Sequence, residues 1–242
     1  MKKIDAHAHI GDFGGWAGVE GTPEQLISLM DEYDIEKTVL CSRDHMGNDG
    51  VVEAVEAYPG RFLPLVYLNP LEGREECLRK MSVYVDGKNF RGVKLNPLRH
   101  AYVADDAILD PIMEEAGKRG IPVFIHSGHP PYSLPWSIAL LAERFPEVKT
   151  VMIHMGHGHG VYIDAALKMA KRCPNIYLEM SGMPMGAKIR QAYEEVGKDR
   201  IMFGTDFPFH HPSVEIQKVL SCGLNEQAEE DVFYNNVLKL FI

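Results

Sequence analysis

Residues 122–127 read P-V-F-I-H-S, a nearly continuous apolar run that ends at His126. Apolar residues at helical spacing precede this run over 105–118 and follow it over 136–144. An apolar run between two such segments is typical of a parallel β-strand that helices cover on both faces. The stretch therefore predicts a strand–helix unit with a histidine at the carboxyl end of its strand.

The same unit recurs along the chain. Further strand patterns lie at residues 3–9, 38–42, 62–69, 91–96, 150–155, 175–180 and 201–206. Helix patterns alternate with them, the first capped by Thr22 and the last near 225–240. Eight units of about 30 residues account for almost all 242 residues. We therefore predict an α/β fold, a (β/α)8 TIM barrel forming a single domain over 1–242 with an extra C-terminal helix.

An open, doubly wound sheet is the structural alternative to the barrel. It is disfavoured because no G-x-G-x-x-G motif follows the first predicted strand.

Composition narrows the class of protein. The net charge is −9 and the Lys and Arg residues are dispersed, which argues against a nucleic-acid partner or a basic membrane surface. We find no signal peptide and no run near the roughly 18 apolar residues that a membrane span needs. The four cysteines form no C-x-x-C motif and are expected to be isolated reduced thiols. We expect a cytoplasmic protein that binds a small molecule; the sequence leaves homo-oligomer formation open.

All eleven histidines lie on a predicted strand or in the loop after one. His7 and His9 are two apart on one strand, so their side chains point to the same face. His126, His154 and Asp206 lie at the ends of later strands, and in a barrel these ends meet at one face. Neutral imidazoles and a carboxylate suit zinc, iron(II) or manganese(II). The pattern predicts a divalent metal site at that face.

Several segments resemble the amidohydrolase superfamily, specifically its amidohydrolase-related branch, which includes aminocarboxymuconate-semialdehyde decarboxylase and related decarboxylases and hydrolases. These are Y-P-G-R-F (58–62), L-N-P (68–70), L-D-P-I-M-E-E-A (109–116), I-P-V-F-I-H-S-G (121–128), I-H-M-G (153–156), N-I-Y-L-E-M-S-G (175–182) and F-G-T-D-F-P (203–208). The resemblance covers nearly the whole chain. It implies a distorted TIM barrel whose metal is held by His7, His9, His126 and Asp206, with His154 beside it as acid/base.

Lys94 ends the strand predicted at 91–96, where other amidohydrolases carry a carbamylated lysine that bridges two metals. We favour a cationic Lys94 that pairs with a site carboxylate or with the substrate, because the branch it resembles usually has a mononuclear site. The expected cofactor is therefore one divalent ion, with zinc favoured over manganese or iron and over a two-metal site.

Two arginines follow strands on the same face. Arg43 and Arg99 could each clamp a substrate carboxylate through a bidentate guanidinium contact. A surface arginine paired with a neighbouring acid is an equally weighted alternative for each.

The leading functional hypothesis is a metal-dependent hydrolase acting by metal-activated water. Asp206 would bind the metal and accept the proton of the water, while His154 would steer the water or protonate the leaving group. A non-oxidative decarboxylase with the same ligands is the first alternative, and a metal-binding barrel without catalysis is the second. The absence of the long inserted loops that large aromatic-acid decarboxylases of this branch tend to carry favours hydrolysis.

Overall fold

The computed structural model describes residues 1–13, 15, 17–42 and 46–241. Within these residues, nine strands form one continuous sheet. The strands are β1 Lys3–Phe13, β2 Val19–Gly21, β3 Ile35–Ser42, β4 Phe62–Leu68, β5 Gly92–Leu95, β6 Val123–His126, β7 Thr150–Ile153, β8 Ile176–Glu179 and β9 Ile201–Met202. Their order is β2-β1-β3-β4-β5-β6-β7-β8-β9. Only the β1–β2 hairpin is antiparallel, so the remaining strands form the parallel series that the sequence predicts.

Helices alternate with these strands. They are α1 Pro23–Glu32, α2 Gly47–Ala57, α3 Arg74–Met81, α4 Pro97–His100, α5 Asp110–Arg119, α6 Pro135–Arg144, α7 Gly160–Arg172, α8 Gly186–Glu195, α9 Pro212–Leu220, α10 Glu226–Glu230 and α11 Asn236–Leu240. The first begins as predicted, because the Thr22 hydroxyl accepts from the Gln25 N–H and the Gln25 side chain accepts from the Thr22 N–H. No helix among the described residues is both long and apolar enough to cross a membrane.

The sheet closes on itself where β1 meets the segment after β9. Ala6 donates its N–H to the Phe203 carbonyl at 2.9 Å, and His9 donates to the Phe207 carbonyl at 2.7 Å. Between them, Asp206 donates to the His7 carbonyl at 2.7 Å. This closure makes the fold a TIM barrel, as predicted.

A buried carboxyl group fastens this seam. Asp5 is 0% exposed, and its Oδ1 accepts from the N–H of His7 at 3.0 Å and of Thr205 at 2.9 Å. Its Oδ2 accepts from the Thr205 hydroxyl at 2.6 Å. Burial nevertheless outweighs these three donors and raises the pKa of Asp5 to about 7.

An apolar cluster fills the barrel and reaches the C-terminal helix. Its buried members are Ile4, Ala6, Val39, Cys41, Leu65, Phe124, Val151, Ile153, Met202, Val237 and Leu240. Because α11 contributes the last two, the C-terminal helix closes the amino end of the barrel. Because apolar side chains fill the amino end of the barrel, a polar site is expected at the carboxyl ends of the strands.

Several predicted boundaries were wrong at these carboxyl ends. β7 ends at Ile153, and a short 3₁₀ turn, His154–Gly156, follows it. β9 is only two residues long, and the chain then runs beside β1 through single hydrogen bonds. His100 was expected in a loop but closes α4. These deviations share a cause, since contacts across the seam and in tight turns override local β-propensity.

We predict that Asp5→Ala lowers the free energy of unfolding by roughly 3–5 kcal/mol, because it leaves buried donors unpaired. Urea denaturation measures the change. Asp5→Asn is the matched control: its carboxamide oxygen still accepts from His7 and Thr205, so it should cost about 1 kcal/mol or less. If Asp5→Ala and Asp5→Asn lost equal stability, the hydrogen bonds of Asp5 would not be what stabilises the seam.

Candidate metal centre

A register shift in β1 turns two histidines toward the barrel interior. Ile4 and Ala6 pack in the interior cluster, whereas Ala8 and Ile10 pack in the outer core against the helices. The shift lies between Asp5 and Ala8 in the pairing of β1 with β3. An irregularity of this kind re-aims the side chains that follow it, so His7 and His9 point inward together.

Both imidazoles meet one carboxylate. The distance from Oδ1 of Asp206 is 3.2 Å to Nε2 of His7 and 3.4 Å to Nε2 of His9. The two rings are edge-to-face, with centroids 4.5 Å apart, and all three residues are buried. His7 and His9 hold the pKa of Asp206 well below its usual range by hydrogen bonding, although burial opposes them. Barrel closure thus places an ionised carboxylate beside two imidazoles.

His154 enters the same space from a strained turn. Its φ is 67°, and Asp206 has a φ of 55°, both in the left-handed region that non-glycine residues rarely occupy. His154, His7 and Asp206 offer donor atoms that all lie within 4.8 Å of one another. His154 therefore has a ring nitrogen close to the donor atoms of two predicted metal ligands, His7 and Asp206.

Hydrogen bonds fix which ring nitrogen of His154 faces the site. Its Nδ1 lies 2.8 Å from the Ser181 carbonyl oxygen, so Nδ1 carries the proton and donates it. Nε2 is left as an acceptor, 3.2 Å from Nδ1 of His126. Burial, with Lys94 adding to it, lowers the pKa of His154 to about 3, so the ring is neutral at physiological pH.

The Glu179 carboxyl group accepts a hydrogen bond from the turn that begins at His154. It is 0% exposed; its Oε2 accepts from the His154 N–H at 3.3 Å and from the Ser181 hydroxyl at 2.8 Å. Burial raises the pKa of Glu179 to about 8. Its carboxyl group fills the space that a side chain at Gly204 would need, since a Cβ there would overlap Oε1. The ends of β7, β8 and β9 are held together by this one acid.

The residues present fit a divalent cation. Nδ1 of His7 and Nε2 of His126 are buried, and neither has a hydrogen-bond partner among the described residues. Burial lowers the pKa of both histidines well below the usual range, with Lys94 adding to it for His7 and His154 for His126. Neutral imidazoles beside an ionised carboxylate are the donor set that such cations bind.

A cavity of about 690 Å³ opens over this cluster, a size that suits a small molecule. Its walls combine imidazoles, an arginine and apolar side chains. They are formed by His9, Ala17, Val19, Asn96, Leu98, Arg99, His126, His129, His154, His157, Asp206, Phe209 and His210. One small volume thus brings together metal-binding groups, a cation and an apolar surface.

Comparison with protein families agrees with this geometry. Residues 4–241 match the family described as amidohydrolase. This chain belongs to the amidohydrolase family. The match covers nearly the whole described part of the chain, so the family assignment includes every strand that contributes to the metal centre.

Two curated relatives of this amidohydrolase are decarboxylases by name. One is a 2-amino-3-carboxymuconate-6-semialdehyde decarboxylase from Dictyostelium discoideum, 24% identical over 67% of this chain and 55% of the relative. The other is a gamma-resorcylate decarboxylase from Polaromonas sp., 23% identical over 80% of this chain and 74% of the relative. The amidohydrolase thus spans little more than half the length of the first relative.

Solved structures share its fold. An uncharacterised TIM-barrel protein from Bordetella bronchiseptica superposes with a TM-score of 0.82 at 23% identity, covering 99% of this chain and 98% of that one. A dihydroxybenzoic acid decarboxylase from Polaromonas sp., with bound manganese and the inhibitor 2-nitroresorcinol, gives 0.77 at 20% identity, covering 99% and 96%. At these identities the likeness establishes the TIM-barrel fold alone.

Of the remaining predicted site residues, Arg99 lines the cavity and Lys94 does not. Arg99 lines the cavity, but it does so from the short helix α4 rather than from a loop. Lys94 is fully buried, with Nζ 3.4 Å from Nε2 of His7, and it is not among the cavity-lining side chains. Arg43 lies outside the described residues. The predicted ligand set, His7, His9, His126 and Asp206, stays a prediction.

Two side chains at the candidate site, Cys41 and Ser181, were not predicted from the sequence. The four cysteines are free thiols, as expected, but Cys41 is not isolated, because its Sγ lies 3.2 Å from Nδ1 of His9. Its position near the end of the strand predicted at 38–42 was an available signal. Ser181 was missed as well, and nothing in its local sequence indicates its contact with His154.

We predict that Gly204→Ala destabilises the amidohydrolase by about 1–3 kcal/mol, because the added methyl group displaces the buried carboxyl group of Glu179. Urea denaturation measures the loss. Gly158→Ala is the control, since no atom lies within 4 Å of its Cβ position, and it should change stability by less than about 0.5 kcal/mol. Similar values for both variants would refute the packing role of Gly204.

Proposed function

We propose that this chain is a metal-dependent, non-oxidative decarboxylase of a small carboxylate-bearing substrate. The observation that carries the proposal is the cluster of His7, His9, Asp206 and His154. All of them except His7 line a cavity that Arg99 also lines. The names of the two curated relatives support decarboxylation over the hydrolysis that the sequence favoured.

One divalent ion would be held by His7, His9, His126 and Asp206, with His154 alongside. A bound ion would act as a Lewis acid toward oxygen atoms of the substrate. The manganese in the Polaromonas structure supports manganese as a candidate equal to the zinc that the sequence analysis favoured. The donors themselves suit either metal.

The reaction replaces a carbon–carboxylate bond by a carbon–hydrogen bond. The carboxylate leaves as carbon dioxide, the bonding electron pair stays on carbon, and that carbon takes up a proton. Arg99 would orient the anionic substrate through charge-assisted hydrogen bonds. His154 would accept a proton from solvent at Nε2 and pass it to that carbon, because its Nδ1 is committed to the Ser181 carbonyl.

Hydrolysis would use the same groups differently. In that reaction Asp206 accepts a proton from water, and His154 protonates the leaving group. The two reactions are therefore distinguished by their products rather than by the residues. The non-catalytic alternative gains no support from the relatives' names, and any turnover removes it.

We predict that the protein, purified without added metal, contains about one divalent ion per chain by elemental analysis. Asp206→Ala should lose the ion, because it removes the carboxylate nearest His7 and His9. His154→Asn should retain the ion and lose roughly 10²–10⁴-fold in turnover.

The control for the metal measurement is His211→Asn. His211 is an exposed N-cap of α9, a role that asparagine also performs, so metal and activity should be unchanged. Loss of the ion from His154→Asn would make His154 a ligand. A fully active protein without metal would end the proposal of a metal centre.

We predict that metal-loaded protein releases carbon dioxide from a member of a panel of hydroxybenzoic acids and unsaturated amino or keto acids, and not from the methyl esters. Arg99→Met should raise KM for the acid roughly tenfold or more, since a charge-assisted pair contributes about 1.5–3 kcal/mol.

Arg79→Met is the control, because Arg79 pairs with Glu76 on the exposed face of α3. A parallel panel of lactones and amides tests hydrolysis. Turnover of that panel alone, without carbon dioxide, would replace decarboxylation by hydrolysis, and turnover of neither panel would count against both.

A further inference from the structure

A buried thiol lies against the ring of a proposed metal ligand. Cys41, near the end of β3, is 0% exposed and is directly paired with His9 in the parallel β1–β3 ladder. Its Sγ lies 3.2 Å from Nδ1 of His9 and 3.8 Å from the Ala8 carbonyl oxygen. The strand register itself therefore places sulfur beside the imidazole.

The positions of the protons follow from these distances. Nε2 of His9 faces Oδ1 of Asp206 at 3.4 Å, which is the edge that a shared cation would occupy. An imidazole that binds a cation through Nε2 carries its proton on Nδ1, and in a buried site that N–H needs an acceptor. Cys41 supplies one: its sulfur accepts from Nδ1, and its own S–H donates to the Ala8 carbonyl.

We propose that Cys41 is a positioning residue that accepts the Nδ1 proton of His9 and so holds Nε2 toward the metal. The inference rests on the metal centre of the proposed function. Histidine ligands usually donate to a carboxylate, a backbone carbonyl or water, and here the Cys41 sulfur takes that place.

Direct ligation by sulfur is the competing arrangement. Donor atoms of His7, His9 and Cys41 also lie within 4.8 Å of one another. The geometry favours the positioning role, because sulfur contacts the Nδ1 edge of His9 whereas Asp206 faces the Nε2 edge. An ion between Nε2 and Asp206 would have the imidazole ring between itself and the sulfur.

The first test measures the Kd of metal-stripped protein for Mn²⁺ and for Zn²⁺ by chelator competition. Cys41→Ala should raise the Kd roughly 10–100-fold, the usual cost of removing such a partner. Cys41→Ser keeps a group that both accepts and donates, so its Kd should stay within roughly threefold of wild type. Cys77→Ala is the matched control: its thiol is equally buried, contacts the Asn69 carbonyl at 3.4 Å and should leave the Kd unchanged.

Two spectra of the wild-type protein complete the test without relying on a variant that fails to fold. The cobalt-substituted protein should lack a thiolate-to-cobalt charge-transfer band. In the zinc-loaded protein, long-range ¹H–¹⁵N correlations should show His9 protonated at Nδ1. A charge-transfer band, an unprotonated Nδ1, or a wild-type Kd in folded Cys41→Ala would overturn the proposal. Wild-type protein that binds neither metal would instead overturn the metal centre.

Discussion

Barrel closure at the β1 seam is the constraint on which the rest of the structure depends. Asp5 bonds to Thr205 across 200 residues of sequence, and the His7 carbonyl accepts from the Asp206 N–H beside it. Closing so long a loop costs conformational entropy, which the parallel ladder and its helices must offset together. The same hydrogen bonds that complete the sheet also place the Asp206 side chain beside His7 and His9. Closure of the barrel therefore also brings the residues of the candidate site together.

Burial gives that site its electrostatic character. Asp206 stays ionised because His7 and His9 hydrogen-bond to it, although removal from water alone would favour its neutral form. Lys94 lies with Nζ 3.4 Å from Nε2 of His7, and its charge adds to burial in lowering the pKa of that imidazole. The left-handed backbone of His154 and Asp206 adds strain, which the surrounding hydrogen bonds hold in place. A buried, preorganised cluster of this kind would suit the metal-assisted chemistry proposed here.

Family membership limits the chemistry without selecting the reaction. A TIM barrel supports many activities, so function has to be argued from the site rather than from the fold. Here the donors would serve decarboxylation or hydrolysis, and the difference lies in whether a proton is delivered to carbon or taken from water. His154 would take part in either proposed reaction, because Ser181 fixes its tautomer and leaves Nε2 as an acceptor.

The sequence by itself determined the strand–helix alternation, the barrel and that His7 and His9 would share one face, because apolar periodicity and strand alternation are local properties. Tertiary structure decided the rest. Cys41 beside His9 depends on the register of two strands, and the Glu179 carboxyl group over Gly204 depends on how neighbouring strand ends pack. Such contacts join residues far apart in sequence, and local patterns carry no information on register or on turn geometry.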